Sequence, residues 1–364
     1  MKLMTIFGTR PEIIRLSIII KHLDQFCEQV LVHTGQNYDE RLSDVFFREL
    51  ELRPPDIYLG VRAEGFGEQV GQILQQVEQV MDEQRPDRVL ILGDTNSALS
   101  AIIAARRRIP VYHLEAGNRC YDDRVPEEIN RRIVDHCSTV LMPYTHRSKE
   151  NLVREGIKRE HIFVVGNPIY EVLNTFAQHI ESSNVLAQLG LEVRGYFLVT
   201  MHRAENVDDP ERLGKLLTCL GCIEEQYQLS VIVSLHPRTA DKMGHFGLGV
   251  ERERIRFLKP LGFFDFVALE KRARCVISDS GTVQEECCIF GIPNVTIRDI
   301  TERPETIECG SNILAGAEPA MVLSAINIAV QSSHEWTPPS EYVEQRPSAA
   351  VAKIVLGHIQ PHSG

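Results

Sequence analysis

Three carboxylates stand where short apolar runs give way to polar turns: Asp94 in Leu92-Gly93-Asp94-Thr95, Glu115 in His113-Leu114-Glu115-Ala116-Gly117, and Glu127 in Pro126-Glu127-Glu128. One such residue is ordinarily a helix N-cap, and Asp94 alone reads that way. Three gathered at one place would repel one another unless a cationic ligand or a proton-transfer task justified them. They are candidate acids and bases. His202, in Thr200-Met201-His202-Arg203, and His236, in Leu235-His236-Pro237-Arg238, end apolar runs of the second half beside arginines. A lone histidine is more often satisfied structurally than catalytic, but two at equivalent positions favour a shared site.

Three further stretches could hold an anion. In Gly8-Thr9-Arg10-Pro11-Glu12, Pro11 suits a first helical turn, so Arg10 sits beside exposed backbone N–H groups; an arginine at an ordinary turn is the equal alternative. The run Cys275 to Ser278 leads into Asp279-Ser280-Gly281-Thr282-Val283-Gln284-Glu285-Glu286. Ser-Gly-Thr at a helix start presents hydroxyls and amides to an oxyanion, and Glu286 is placed to accept from ribose hydroxyls. An N-cap with a capping carboxylate is the plainer reading. In Arg298-Asp299-Ile300-Thr301-Glu302-Arg303-Pro304-Glu305, Pro304 marks a helix entry with Arg303 just before it. Arg10 and Arg303 with a helix N-terminus would make a diphosphate clamp; otherwise they are surface charges.

Other chemistries fit poorly. The only near match to a dinucleotide fingerprint, Gly65-Phe66-Gly67 followed by Gly71, has the wrong final spacing, so no NAD is expected. His113-Leu114-Glu115 has the form of a zinc deaminase signature, but no Pro-Cys-x-x-Cys follows. Cys219 and Cys222 have C-x-x-C spacing within a helical pattern, without a second ligand pair. No metal and no cofactor are expected. The nine cysteines, an odd number in a long chain, read as reduced thiols of a cytoplasmic protein. Fifty acidic against 39 basic residues give a net charge of −11, the wrong sign for broad contact with nucleic acid or anionic lipid. No apolar run reaches the roughly 18 residues of a membrane span, and Met1 to Phe7 meets Gly8-Thr9-Arg10 before an export signal can form, so a chain that is not exported is expected.

The elements that must position these residues alternate. Leu3 to Phe7, Val30 to His33, Arg88 to Leu92, Pro110 to His113 and Val140 to Met142 are β-rich, with helical spacing over Glu12 to Leu23, Glu68 to Glu83 and Thr95 to Arg106. A second series comprises Phe197 to Thr200, Val231 to Leu235, Arg256 to Leu258, Cys275 to Ser278 and Asn294 to Ile297. Such βαβ repetition implies parallel sheets covered by helices, and ligands then bind at the carboxyl ends of the strands. At 364 residues, 43% hydrophobic and 24% charged, the chain suits two globular domains of roughly 150 residues or more. The hinge is expected near Pro168, giving an α/β protein with domains at 1–168 and 169–347 and a last helical piece at 348–364 returning to the first.

Taken together, these residues resemble the non-hydrolysing UDP-N-acetylglucosamine 2-epimerase family. The match runs from Phe7-Gly8-Thr9-Arg10-Pro11-Glu12 through Gly93-Asp94-Thr95, His113 to Gly117, Pro126-Glu127-Glu128 with Asn130-Arg131, His202-Arg203, Asp279-Ser280-Gly281 and Gln284-Glu285-Glu286 to Thr301-Glu302-Arg303-Pro304-Glu305. The resemblance implies two Rossmann-like domains in a glycosyltransferase-B arrangement, a cleft closing over a UDP-activated 2-acetamido sugar, and usually a homodimer. By motif, Asp94, Glu115, Glu127 and His202 would carry the chemistry, supported by Arg131 and His236. Arg10, Arg15, Ser280, Gly281, Thr282, Glu286 and Arg303 would bind UDP, with Phe266 near the uracil. Arg15 replaces the usual lysine, Thr282 the second glycine of the turn, and Asn37 the histidine of a Gly-Gln-His motif associated with allosteric UDP-sugar binding. The wording of Gly35 to Asp39, Gly93 to Ser97 and Ala116 to Cys120 resembles the branch that converts UDP-2-acetamido-2,6-dideoxy-L-talose to UDP-N-acetyl-L-fucosamine for capsule or O-antigen; UDP-N-acetylglucosamine is the alternative substrate. A sugar transferase of the same architecture and a non-catalytic UDP-sugar-binding protein are the competing classes.

Overall fold

The computed structural model describes residues 1–36, 40–63, 65–332, 336–343 and 346–357, with the side chains of 40–44 not described. Asn37 and the Asn37-Tyr38-Asp39 part of the branch motif lie outside the described residues. The chain divides into two compact units, Met1–Thr175 with Ser340–Gly364, and Phe176–Pro339.

The first unit is built on a six-stranded parallel sheet in the order β3-β2-β1-β4-β5-β6. Its strands are β1 (Lys2–Phe7), β2 (Glu28–His33), β3 (Ile57–Tyr58), β4 (Arg88–Leu92), β5 (Val111–Leu114) and β6 (Val140–Met142). The central strands are almost wholly buried, as expected of a sheet covered on both faces. Three helices matter for the site: α1 (Arg10–Leu23) after β1, α2 (Pro126–Cys137) after β5, and α3 (Pro168–Thr175). The expected helix over Thr95 to Arg106 is a 3-10 segment, Asn96–Ser100, continued by an α-helix, Ala101–Arg106. The unit boundary falls after Thr175, later than Pro168, because Ile169, Val172 and Leu173 of α3 are buried within the first unit. The chain re-enters this unit at Ser340, and the helix Pro347–Leu356 lies against α1 and α3.

The second unit repeats the plan. Its strands β7 (Tyr196–Thr200), β8 (Ser230–Ser234), β9 (Ile255–Leu258), β10 (Cys275–Ser278), β11 (Asn294–Thr296) and β12 (Asn312–Leu314) pair in parallel in the order β12-β11-β10-β7-β8-β9. Counted from β7, that is the first sheet's order again. Both units are therefore Rossmann-like, and the α/β class with two such halves holds. Two helices concern the site: α4 (Phe263–Arg272) and α5 (Gly281–Phe290). Cys219, half of the C-x-x-C pair, is core packing in this unit.

In this strand order the topological switch lies between the first and fourth strands, where helices leave on opposite faces and open a crevice at the carboxyl ends. Gly8 to Arg10 and Gly93-Asp94 follow β1 and β4. His202-Arg203 and Asp279 to Gly281 follow β7 and β10.

Candidate active site

In the first unit, α1 begins at Arg10, and Glu12 reaches back to close the turn. Its Oε2 accepts from Gly8 N at 3.0 Å, Thr9 N at 2.8 Å and Thr9 Oγ1 at 2.7 Å, while Oε1 accepts from Thr95 Oγ1 at 3.0 Å. These contacts tie the loop after β1 to the loop after β4. Burial pushes the Glu12 carboxyl up to about 7, against the lowering effect of those donors. Arg10, half-buried, stacks its guanidinium 5.7 Å from the Phe46 ring centroid.

Asp94 is held by a fork from α2: Arg131 Nε and Nη2 donate to its Oδ2 at 2.9 and 2.6 Å. Arg131 also donates to Glu128 at 2.8 Å, and Asn130 Nδ2 caps the Asp94 carbonyl at 3.0 Å. Buried Glu128 in turn accepts from Cys120 N and Tyr121 N, which anchors the loop after β5. Glu127, half-buried in the first turn of α2, shares a helical neighbourhood with Asn130 and Arg131 at i+3 and i+4.

Glu115 carries a left-handed backbone, φ 67°, which a non-glycine residue adopts only under constraint. Its carboxylate receives Arg15 of α1, Tyr144 Oη at 3.2 Å and Asn118 Nδ2 at 3.2 Å. A Cβ on Gly93 would stand 3.8 Å from Glu115 Oε2, so the Glu115 carboxylate comes close to the backbone just before Asp94. Arg15, expected at the nucleotide, is buried against Glu115 and Tyr144. His113 is fully buried, bonded to Asp135 and to the Gly93 carbonyl at 2.8 Å each, which makes it a brace between β4, β5 and α2.

In the second unit, Asp279 is fully buried at the end of β10 and organises the loop after β7. Its Oδ2 accepts from His202 N and Arg203 N at 2.9 Å and from Asn206 Nδ2 at 3.0 Å. Its Oδ1 lies 3.1 Å from His202 Nδ1, and the His202 side chain is 34% exposed. Burial alone would raise the Asp279 carboxyl, but the charge of the nearby His202 ring, with the hydrogen bonds from Arg203 N and Asn206, holds it well below the usual carboxylate range. The ring nitrogen not turned toward Asp279 is Nε2. The His236 ring lies 5.4 Å from that of His202 and caps the helix Pro237–Phe246 by accepting from Arg238 N.

Ser280 is the N-cap of α5, and a Cβ on Gly281 would meet the Arg303 guanidinium at 3.7 Å. Arg303 is thus set over the helix start. It is held there by Glu285, by a 3.0 Å bond from its own N–H to Thr301 Oγ1, and by Thr301 bonding Gln284 at 2.7 Å. Arg298, fully buried between Glu205 and Glu302, fixes the root of this loop. Thr282 is half-buried one position into α5, and Glu286 is buried in its second turn. Phe266 is half-buried on α4.

Within the first unit, then, the structure brings Asp94, Glu115, Arg15 and Arg131 together, with Glu127 on the same helix. Within the second it groups His202 with His236, and Ser280 and Gly281 with Arg303. Reading the sequence for chemistry passed over Asp279 and Glu285 as working residues. Asp279 was discoverable, since it is the first ionisable residue after the buried strand Cys275–Ser278. Among the described residues there is no group of three or more His, Cys, Asp and Glu arranged for a metal ion, and no helix long and apolar enough to cross a membrane.

A family model for UDP-N-acetylglucosamine 2-epimerase matches residues 21–356. A UDP-N-acetylglucosamine 2-epimerase of Methanococcus maripaludis is 38% identical over 367 residues, covering 99% of this chain and 100% of that protein. A UDP-2,3-diacetamido-2,3-dideoxy-D-glucuronate 2-epimerase of Pseudomonas aeruginosa is also 38% identical, covering 89% of this chain and 91% of that protein. The crystal structure of the Methanocaldococcus jannaschii UDP-GlcNAc 2-epimerase in complex with UDP-GlcNAc and UDP is similar with a TM-score of 0.94 at 40% identity, covering 98% of this chain and 99% of that one.

Proposed function

The chain belongs to the UDP-N-acetylglucosamine 2-epimerase family, whose members are isomerases, and from that premise we propose that it inverts carbon 2 of a UDP-activated 2-acetamido sugar by eliminating and re-adding UDP. The proton on carbon 2 has little acidity, so a carboxylate at neutral pH removes it very slowly. Ionising the bond from carbon 1 to UDP creates an oxocarbenium-like centre that acidifies its neighbour, and groups that stabilise the departing diphosphate therefore also promote deprotonation. Arg10, Arg303 and the N-terminus of α5 serve that end, with His202, oriented by Asp279, neutralising or protonating the leaving phosphate. A 2-acetamidoglycal and UDP remain. Returning the proton to the other face and re-adding UDP completes the inversion without redox chemistry.

The observation that carries this reading is that Glu115 approaches the Gly93 backbone next to Asp94, and that each of the two carboxylates is backed by its own buried arginine. One base on one face cannot both remove and return the proton, whereas separately anchored carboxylates, with Glu127 as the third, can divide the task. For the sugar, the names of the relatives favour the D-gluco series, UDP-N-acetylglucosamine to UDP-N-acetylmannosamine. The L-talo reading rests on the motif wording. Two of those residues have other employment here: Asn118 holds Glu115, and Arg119 pairs with Asp135 and Glu155. We also propose the homodimer usual for the family, on the resemblance alone. Incubation in deuterated water with each UDP-sugar, followed by NMR at carbon 2, tests the mechanism. The epimer formed should carry deuterium at carbon 2; an undeuterated epimer overturns the elimination route.

A further inference from the structure

Cys288 and Cys309 belong to none of the groups described above. Cys288 is fully buried near the end of α5, and Cys309, partly exposed, follows the short helix Pro304–Glu308. Both thiols are free, and their sulfur atoms lie 3.6 Å apart in a shared hydrogen bond. Cys309 Sγ is also 3.4 Å from Ser311 Oγ, and Ser311 lines a cavity of about 260 Å³ together with Ile307, Gly310 and Trp336. A small polar solute can therefore come beside Cys309, with Cys288 directly behind it. The hydrogen bond with Cys288 also holds the Cys309 thiol below the ordinary thiol range, which raises its thiolate fraction.

The elements that carry these sulfurs also carry the groups read above as anion-binding. On α5, Glu285 holds Arg303, and Cys288 lies one turn further along. Arg303 is the N-cap of Pro304–Glu308, and Cys309 is its C-cap. The ion pair and the thiol pair thus clasp the short helix to α5 at its two ends. We propose that Cys288 and Cys309 are an oxidative modification site, closed to a disulfide by hydrogen peroxide and reopened by thiol reductants, and that closure displaces Arg303 and weakens nucleotide binding. The Cys309 thiolate attacks the peroxide, the O–O bond breaks, and the departing hydroxide takes up the thiol proton as water, leaving a sulfenic acid. The Cys288 sulfur then displaces the hydroxyl: an S–S bond forms, the S–O bond breaks, and a second water leaves with the Cys288 proton. Each sulfur gives up one electron, and the peroxide takes both. The sulfurs must close from 3.6 Å to about 2 Å, and a shift of that order at one end of so short a helix is felt by the arginine at the other. The weakening rests on reading Ser280, Gly281 and Arg303 as the nucleotide site; the disulfide does not.

The test is peptide mapping of the full chain by mass spectrometry after peroxide treatment and alkylation of the remaining thiols, with calorimetric titration of UDP into the reduced, oxidised and re-reduced protein. The oxidised chain should carry Cys288 joined to Cys309, and dithiothreitol should restore both thiols. It should bind UDP at least about threefold more weakly than the reduced chain and recover on re-reduction. Cys309→Ser should bind UDP as the reduced wild type does and be indifferent to peroxide. A Cys309 sulfinic acid without a bridge, or either cysteine joined to another partner, overturns the site. A Cys288–Cys309 disulfide that leaves the UDP affinity within about threefold overturns the link to Arg303, and so does an equal loss in peroxide-treated Cys309→Ser. If the reduced wild type does not bind UDP, the nucleotide reading falls and takes that link with it, while the mapping still decides the disulfide. Should Cys309→Ser not fold, the wild type decides alone: a UDP affinity that fails to return as the two thiols return overturns the link.

Discussion

Replacing Asp279 by asparagine isolates the role of the His202 support. With the asparagine carbonyl in the place of Oδ2, the three N–H groups of His202, Arg203 and Asn206, at 2.9 to 3.0 Å, keep an acceptor, now neutral. A charge-assisted bond contributes about 1 kcal/mol more than a neutral one, and the relief of burying no charge offsets part of the sum, so the fold should lose about 2 kcal/mol. The larger effect is on His202. The asparagine amide takes the place of Oδ1, 3.1 Å from Nδ1 in the native protein, and donates to it. The ring proton is thereby forced onto Nε2, and a cationic ring would set two donors against each other. If His202 neutralises the leaving phosphate, kcat should fall about 10²-fold, equivalent to about 2.7 kcal/mol of barrier. Epimerisation followed by NMR in deuterated water, with thermal unfolding in parallel, measures both effects. A folded Asp279→Asn protein with kcat within about twofold of wild type would refute the assignment of His202 through Asp279.

Two other outcomes follow from local geometry. Gly117→Ala places a Cβ 2.3 Å from the Ser148 carbonyl oxygen at a backbone φ of +80°, so urea unfolding should show a loss of at least about 3 kcal/mol; an unchanged midpoint would contradict the packing of the loop behind Glu115. Burial pushes the His33 imidazole down to about 4. The unfolded chain, with an ordinary histidine near 6.5, takes up the proton first as pH falls, so this contribution of about 3 kcal/mol is present above that value and is lost between about 6.5 and 4. The variant His33→Gln should lose less stability than the wild type over that interval, and parallel pH slopes for the two proteins would sink the claim.

Much of the fold was legible because parallel strands buried on both faces read as continuous apolar runs. Ten of the twelve strands among the described residues fall in stretches recognisable from their β-rich composition. The two that escaped, Ile57–Tyr58 and Asn312–Leu314, are edge strands of two and three residues, too short for any period to register. The boundary near Pro168 was misplaced for a related reason: a proline marks where a helix begins, and says nothing of which sheet that helix will cover. At the site, residue types and spacing proposed Asp94, Glu115 and His202, while the family resemblance assigned Arg15, four residues beyond a helix-starting proline, to the nucleotide; its buried partner Glu115 lies 100 residues away in the chain.

What the order of residues determines by itself is chemistry at strand ends: which carboxylates, imidazoles and guanidiniums are available, and that each follows a β-rich run. Pairing is decided in three dimensions. Glu115 meets Arg15 across 100 residues, and His202 meets Asp279 across 77. The energy of a buried charge depends on which partner stands within hydrogen-bonding distance once water is gone, and only the folded sheet order brings those partners together.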